Sequence, residues 1–131
     1  MPPNFDGVRR SKPLSIEIHA ALELALAAAL MLVPYAIGLS PGSVMVGIGT
    51  GALLAGLAIT GADPRGRGGL PLSAHAAYDW AVATALLCAA IALGVTDGPR
   101  SFIVFLAAGL AELALTASTS YSERRAHKTS P

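Results

Sequence analysis

The chain has 131 residues, which is the length of one domain, and its net charge is +1. Apolar residues make up 53% of the chain and charged residues only 13%, whereas a typical soluble domain has about 25% charged residues. The small net charge, and the lack of a basic stripe interleaved with aromatic residues, argue against nucleic acid as a partner. The composition indicates a protein whose main solvent is the lipid bilayer.

Four apolar stretches are each long enough to cross a bilayer, which takes roughly 17–25 mostly apolar residues. They cover residues 18–39, 44–62, 74–95 and 101–119. Two tight turns are predicted, at Ser40-Pro41-Gly42-Ser43 and at Thr96-Asp97-Gly98-Pro99. The sequence therefore predicts one all-α membrane domain, a bundle of four transmembrane helices. Its parts are a tail (1–15), a first hairpin (18–62), a loop (63–73), a second hairpin (74–119) and a second tail (120–131).

The basic residues predict the orientation of the chain. Only Arg100 lies in a tight turn, and the other eight lie in the two tails and the middle loop: Arg9, Arg10, Lys12, Arg65, Arg67, Arg124, Arg125 and Lys128. Lys and Arg in short loops are retained on the cytoplasmic side. We therefore expect both termini in the cytoplasm and a multi-pass location in a bacterial inner (plasma) membrane. A cleaved signal peptide is disfavoured because the first apolar stretch is too long and contains Glu23.

The two hairpins resemble each other at an offset of 56 residues. His19-Ala-Ala-Leu-Glu23 aligns with His75-Ala-Ala-Tyr-Asp79, and 16 of 44 positions are identical when residues 19–62 are compared with 75–118 without a gap. Each copy contains an even number of spans, so both copies have the same topology across the membrane. The sequence thus predicts a parallel internal repeat.

Two short segments carry a resemblance to a known family. Val33-Pro34-Tyr35-Ala36-Ile37-Gly38-Leu39-Ser40 resembles the segment with the Ser-Pro-Trp motif in the SPW-repeat family of small membrane proteins, and Val46-Gly47-Ile48-Gly49 is similar to the start of that family's second helix. Valine and tyrosine replace the motif's serine and tryptophan, and the second copy reads Ala89-Ala90-Ile91 without a proline. The resemblance implies a two-hairpin membrane protein and no particular chemistry.

Small residues recur on one face of the second span, at Gly47, Gly51 and Ala55, with Gly56 beside them. Small residues four apart allow another helix backbone to approach closely. Two interpretations follow from this pattern. The face packs inside the bundle, or it binds a second copy or another subunit.

Five ionisable residues form the only group in the sequence that could bind a ligand or transfer protons. Three carboxylates lie within the spans, and each costs about 2.5–3.5 kcal/mol at a span centre; two of them follow a histidine by four residues and so share its helix face. All five are expected in one layer of the cytoplasmic half: His19, Glu23, His75, Asp79 and Glu112.

Three interpretations of this layer remain open. It holds the helices in register, it binds a metal ion or haem, or it forms part of a proton or cation path. Histidine and carboxylate ligands suit zinc, iron or manganese, but bundle di-iron sites use Glu-x-x-His at a different spacing. A proton or cation path would need further ionisable residues in the other half of the bundle, and that half offers only Thr50 and Thr84.

The leading functional hypothesis is a non-enzymatic membrane protein that acts by packing, as an accessory subunit of a larger membrane complex or as a homo-oligomer. No nucleophile elbow or phosphate-binding loop occurs, so no catalytic residue and no cofactor are predicted. The alternative is a small transporter or a metal- or haem-binding membrane protein that uses the histidine–carboxylate layer.

Overall fold

The chain folds into four α-helices connected as two helical hairpins. The computed structural model describes residues 14–61 and 69–121. The helices are α1 (Ile16–Ala36), α2 (Pro41–Gly61), α3 (Leu72–Thr96) and α4 (Pro99–Ser118), and the described residues contain no β-strand. The predicted all-α four-helix architecture is confirmed. The basic residues that predict the orientation, Arg100 excepted, lie outside the described residues, as does most of the predicted middle loop.

Each of the four helices is long and apolar enough to cross a membrane. Most of the large side chains on the outside of the bundle are apolar, and several are more than 60% exposed: Leu32, Tyr35, Met45, Ile59, Ile91, Ile103 and Val95. Titratable side chains of three helices are fully buried instead. This inside-out distribution is the architecture of a multi-pass membrane protein.

The first hairpin turn lies earlier than the sequence predicts. Residues 41–43 form the first turn of α2, and the reversal occurs at Gly38, whose φ is +69°. Ser40 Oγ accepts a hydrogen bond from the backbone N–H of Ser43 at 3.2 Å, which caps the helix. Pro41 is tolerated in the first turn because its missing N–H has no helical partner there.

Two glycines of α2 allow close contact with α1. A Cβ on Gly47 would lie 2.5 Å from the Leu30 carbonyl oxygen, and one on Gly51 would lie 2.6 Å from the Ala27 carbonyl oxygen. Of the two interpretations of the small residues, packing inside the bundle therefore applies to Gly47 and Gly51. Ala55 is half-buried and packs against the core.

Gly56 does not belong to this packing face. It is exposed, and a Cβ there would meet nothing within 4 Å. The expectation that Gly56 packs a helix inside the bundle is wrong, because it lies five residues after Gly51 and so on the outer side of α2.

The offset between buried positions in the two hairpins is not the same for their first and second helices. In α1 and α3 they recur at an offset of 56, as in the pairs His19/His75 and Glu23/Asp79. In α2 and α4 they recur at an offset of 58: Ser43/Ser101, Gly47/Phe105, Gly51/Gly109, Leu54/Glu112 and Gly61/Thr119. A gap-free offset of 56 therefore does not describe the second helix of each hairpin. The equivalence of the two hairpins itself stays a prediction.

An apolar core separates the two ends of the bundle. One end, which we call the termini end, holds the starts of α1 and α3 and the ends of α2 and α4. The other, the turn end, holds the two hairpin turns. Between them lie fully or almost fully buried apolar side chains from all four helices, among them Leu30, Leu54, Leu86 and Phe105.

Candidate metal centre

Four of the five predicted residues meet at the termini end of the bundle. The side chains of His19 and Glu23 from α1 and of His75 and Asp79 from α3 are all 0% exposed. Asp79 Oδ2 lies 3.2 Å from His19 Nε2 and 3.4 Å from His75 Nε2. Glu23 Oε2 lies 3.6 Å from His19 Nε2 and 3.8 Å from His75 Nε2. Each histidine therefore faces both carboxylates, one on its own helix and one on the other.

Four of the six distances between the donor atoms are close to those between neighbouring ligands of one metal ion. Zinc binds histidine nitrogen and carboxylate oxygen at about 2.0–2.2 Å, which places neighbouring ligand atoms of a tetrahedron roughly 3.3–3.6 Å apart. The four N···O distances run from 3.2 to 3.8 Å. All four donor atoms lie within 4.8 Å of one another. Two ligands at about 2.1 Å from one ion are at most about 4.2 Å apart, so the four donors can hold one ion after small side-chain movements toward their centre.

A hydrogen bond to Thr119, after the end of α4, places a proton on His19 Nδ1. Thr119 Oγ1 donates its only proton to the Leu115 carbonyl at 2.6 Å. The same oxygen lies 2.8 Å from His19 Nδ1 and therefore accepts from it. With the proton on Nδ1, the lone pair of the neutral imidazole is on Nε2, which faces the carboxylates. This is the tautomer that a metal ligand needs.

The cluster is rich in buried polar atoms that lack a hydrogen-bond partner among the described residues. They include His19 Nε2, His75 Nε2, both carboxylate oxygens of Glu23 and Asp79 Oδ1. An unpaired buried polar group costs about 1–3 kcal/mol. The His19 lone pair and the Asp79 carboxylate would also repel each other at 3.2 Å without a positive charge between them. A proton on Nε2 would remove the repulsion alone, whereas a divalent cation would remove it and also bind the unpaired oxygens of Glu23.

Tyr121 lies over the cluster from the termini end. Its hydroxyl donates a 2.6 Å hydrogen bond to Asp79 Oδ2. Its ring centroid lies 5.7 Å from that of His19 and 6.3 Å from that of His75. Burial first, and then this hydrogen bond, raise the pKa of Tyr121 above its ordinary value. The tyrosine therefore stays neutral and acts as a donor to Asp79.

The end of α2 packs directly against His75. Gly61 is buried, and a Cβ there would collide with the imidazole Cε1 and would lie 2.6 Å from Nδ1. Only glycine leaves room for the ring in this position. Gly61, Thr119 and Tyr121 were not identified from the sequence as parts of the site. The one available signal for Thr119 and Tyr121 was their place at the end of the span that carries Glu112.

Glu112 is buried in the same half but is not one of the four clustered donors. Both of its oxygens, and the hydroxyl of Thr116 one turn later, lack a hydrogen-bond partner among the described residues. The structure therefore assembles four of the five residues expected in one layer, with Glu112 beside them.

Haem does not fit between the two histidines. Their ring centroids are 5.9 Å apart with an interplanar angle of 72°. The space between the two Nε2 atoms, where a porphyrin would lie, is bordered by Glu23 and Asp79 oxygens at 3.2–3.8 Å. Of the ligands considered from the sequence, a single metal ion suits this geometry and a porphyrin does not.

A second polar cluster links the hairpins at the turn end. Ser40 and Ser43 both donate to the Asp97 carboxylate, and Ser43 Oγ lies 2.9 Å from Ser101 Oγ. The hydrogen bonds from Ser40 and Ser43 hold the pKa of Asp97 below its ordinary value. Every member of this cluster is paired, so its geometry is that of a clamp between the two turns.

No protein-family model, no curated protein and no solved structure matches the chain. The resemblance to the SPW-repeat family therefore stays a prediction.

Proposed function

We propose that this chain is a membrane protein that binds one divalent transition-metal ion, with zinc as the best fit, between α1 and α3. The observation that carries the proposal is the set of four fully buried donor atoms, from His19, Glu23, His75 and Asp79, that lie within 4.8 Å of one another. Of the functions considered from the sequence, metal binding explains why these costly groups are placed face to face.

The charge of the site supports a divalent ion. Two carboxylates balance the two positive charges, and the two neutral imidazoles add none, so the loaded centre has no net charge. A neutral centre avoids most of the penalty for burying charge at membrane depth. A set of two nitrogen and two oxygen donors favours zinc over calcium or magnesium, which prefer six or more oxygens. Cys88, the only cysteine, is exposed and outside the site.

The fold supports binding from one side in preference to transport through the bundle. The apolar core with Leu54, Leu86 and Phe105 lies between the metal centre and the turn end. The basic residues of the tails and the middle loop favour a cytoplasmic location for the termini end. We therefore infer that the ion comes from the cytoplasm of a bacterial cell and returns to it.

Metal analysis and zinc titration of the protein purified in detergent test this proposal. The wild-type chain is expected to bind one zinc ion per molecule. Glu23→Gln and His75→Gln each remove a ligand, and should weaken binding by more than the roughly 10–100-fold that loss of a ligand's hydrogen-bond partner costs. Glu17→Gln is the matched control, because Glu17 is exposed in the first turn of the same helix as Glu23.

Two results would count against metal binding. One is a wild-type protein that takes up no zinc, manganese or iron under any tested condition. The other is equal affinity in the wild type, Glu23→Gln and Glu17→Gln, which would place the bound ion elsewhere on the protein.

Packing against another membrane subunit, or against a second copy, is a separate candidate function. One observation favours it: Gly49, Ala52 and Gly56 form an exposed small-residue face on α2, and a Cβ on either glycine would meet nothing within 4 Å. Close helix approach in lipid uses such faces. Crosslinking in native membranes tests this function. A partner band that is lost in Gly56→Leu and kept in Ala92→Leu, at an exposed alanine of α3, would support it.

A further inference from the structure

The last described residues of the chain cross the termini end above the metal centre. We call residues 118–121 the closing segment. The Leu14 N–H donates to the Ser118 carbonyl, and the Ser120 N–H donates to the Leu14 carbonyl, both at 3.3 Å. The Thr119 N–H donates to the Thr116 carbonyl at 3.4 Å. All three backbone bonds are longer than the usual 2.9–3.0 Å, and the side chains of Thr119 and Tyr121 make the shorter bonds of this segment, to His19 and Asp79.

Two approaches to the centre are closed by packing. The side toward the turn end is the apolar core, where Leu54, Leu86 and Phe105 are at most 1% exposed. Gly61 of α2 lies against His75. A partly hydrated ion cannot cross an apolar layer of this kind without a large desolvation cost. A groove between α1 and α4 is lined mostly by apolar side chains, among them Leu22, Leu26 and Leu115, and it does not favour a hydrated ion either. Within the described residues, this leaves the termini end, where half-buried Tyr121 lies.

We propose that Tyr121 is the gate residue of this metal centre, an inference that rests on the proposed function. Its hydroxyl binds Asp79 Oδ2, the same oxygen that both histidine Nε2 atoms face at 3.2 and 3.4 Å. Opening of the closing segment breaks this bond and moves the ring off the two imidazoles. Asp79 is then the first ligand that a hydrated divalent cation meets, and reclosure completes the dehydration of the ion.

A gate and a merely supporting residue differ in kinetics. A residue that only orients a ligand stabilises the bound state, so its loss accelerates zinc dissociation and leaves association unchanged. A gate slows both directions, so its loss accelerates both and changes the equilibrium constant less than either rate constant. Tyr121→Phe removes the hydroxyl and keeps the ring, and Tyr121→Ala removes both.

Stopped-flow measurement of zinc association, and of zinc extraction by an excess of chelator, decides between these roles. We expect Tyr121→Phe to raise both rate constants by roughly tenfold, the effect of one lost hydrogen bond to a charged acceptor, and Tyr121→Ala to raise both further. The matched control is Tyr78→Phe, since Tyr78 is 50% exposed on α3; its rates should equal those of the wild type.

The outcomes separate the gate from the proposed function. Wild-type protein that binds zinc, with unchanged rates in Tyr121→Phe or with faster dissociation alone, overturns the gate and leaves metal binding intact. Wild-type protein that takes up no zinc overturns both. Circular dichroism of each variant without zinc confirms that the helices persist, and Tyr121→Phe provides the decisive rates if Tyr121→Ala fails to fold.

Discussion

Glu112 in α4 and Leu54 in α2 share the same spacing from a buried serine: each is 0% exposed, and each follows Ser101 or Ser43 by eleven residues. One hairpin thus fills this core position with an apolar side chain, and the other fills it with a carboxyl group whose oxygens have no hydrogen-bond partner among the described residues.

Glu112→Leu is therefore expected to stabilise the metal-free protein. Exchanging buried charged groups for apolar ones of similar volume is neutral or stabilising by about 1–4 kcal/mol. Thermal unfolding in detergent, followed by the fluorescence of Trp80, measures the change, and Glu112→Gln should fall between the wild type and Glu112→Leu. A clear loss of stability in Glu112→Leu would show that the carboxyl group makes a bond that favours the folded state.

Thr119→Val is expected to weaken zinc binding. The change removes the acceptor of His19 Nδ1–H, and with it the preference for a lone pair on Nε2. Loss of such a partner costs roughly 10–100-fold in affinity, which chelator competition measures, whereas Thr119→Ser should retain the wild-type affinity. Thr84→Val is the matched control, since Thr84 makes the same kind of bond to a carbonyl four residues earlier and is exposed on α3. Equal affinities of Thr119→Val and Thr84→Val would contradict the assigned tautomer.

Gly61→Ala is expected to damage the site, and Gly56→Ala is not. A Cβ at position 61 collides with His75, whereas one at position 56 enters open space. Alanine is the better helix former by about 1 kcal/mol, so Gly56→Ala should be neutral or slightly stabilising. Melting temperature and zinc affinity should both fall in Gly61→Ala. Wild-type values for both in Gly61→Ala would mean that α2 packs differently against His75.

Asp97→Asn is expected to weaken the clamp at the turn end in a pH-dependent way. Because hydrogen bonds from Ser40 and Ser43 lower the pKa of Asp97 below 3.8, the ionised carboxylate stabilises the folded state above about pH 4. That contribution is lost as the pH falls through the lowered pKa. The melting temperature of the wild type should exceed that of Asp97→Asn at pH 6, and the difference should shrink as the pH approaches 3. A difference that is constant with pH would exclude ionisation of Asp97 as its source.

Much of the fold was predictable because apolar length alone determines which segments can cross a bilayer. The histidine–carboxylate pairs were equally accessible, since a spacing of four residues places two side chains on one helix face. The offset of 58 between the buried positions of α2 and α4 was not predictable. It depends on the extra turn at the end of α3 and on the shorter connection at residues 97–98. Gly56 was misplaced for a related reason: the spacing of small residues does not say which face meets α1.

The supporting residues of the site could not be found from local sequence patterns. Thr119 meets His19 across 100 residues of chain, and Tyr121 meets Asp79 across 42. Each contact depends on how the hairpins dock. Threonine and tyrosine near the end of a span are also common for other reasons, such as interfacial anchoring.

The two polar clusters join the first hairpin to the second, one at each end of the bundle. The first hairpin contributes His19 and Glu23 at one end and its turn serines at the other, and the second hairpin supplies the complementary groups each time. In lipid, apolar contact alone gives helices little reason to associate, since acyl chains are as apolar as leucine. An ion held jointly by His19 and Asp79 would then be a reversible cross-link, and its concentration would set how firmly the two halves of the molecule adhere.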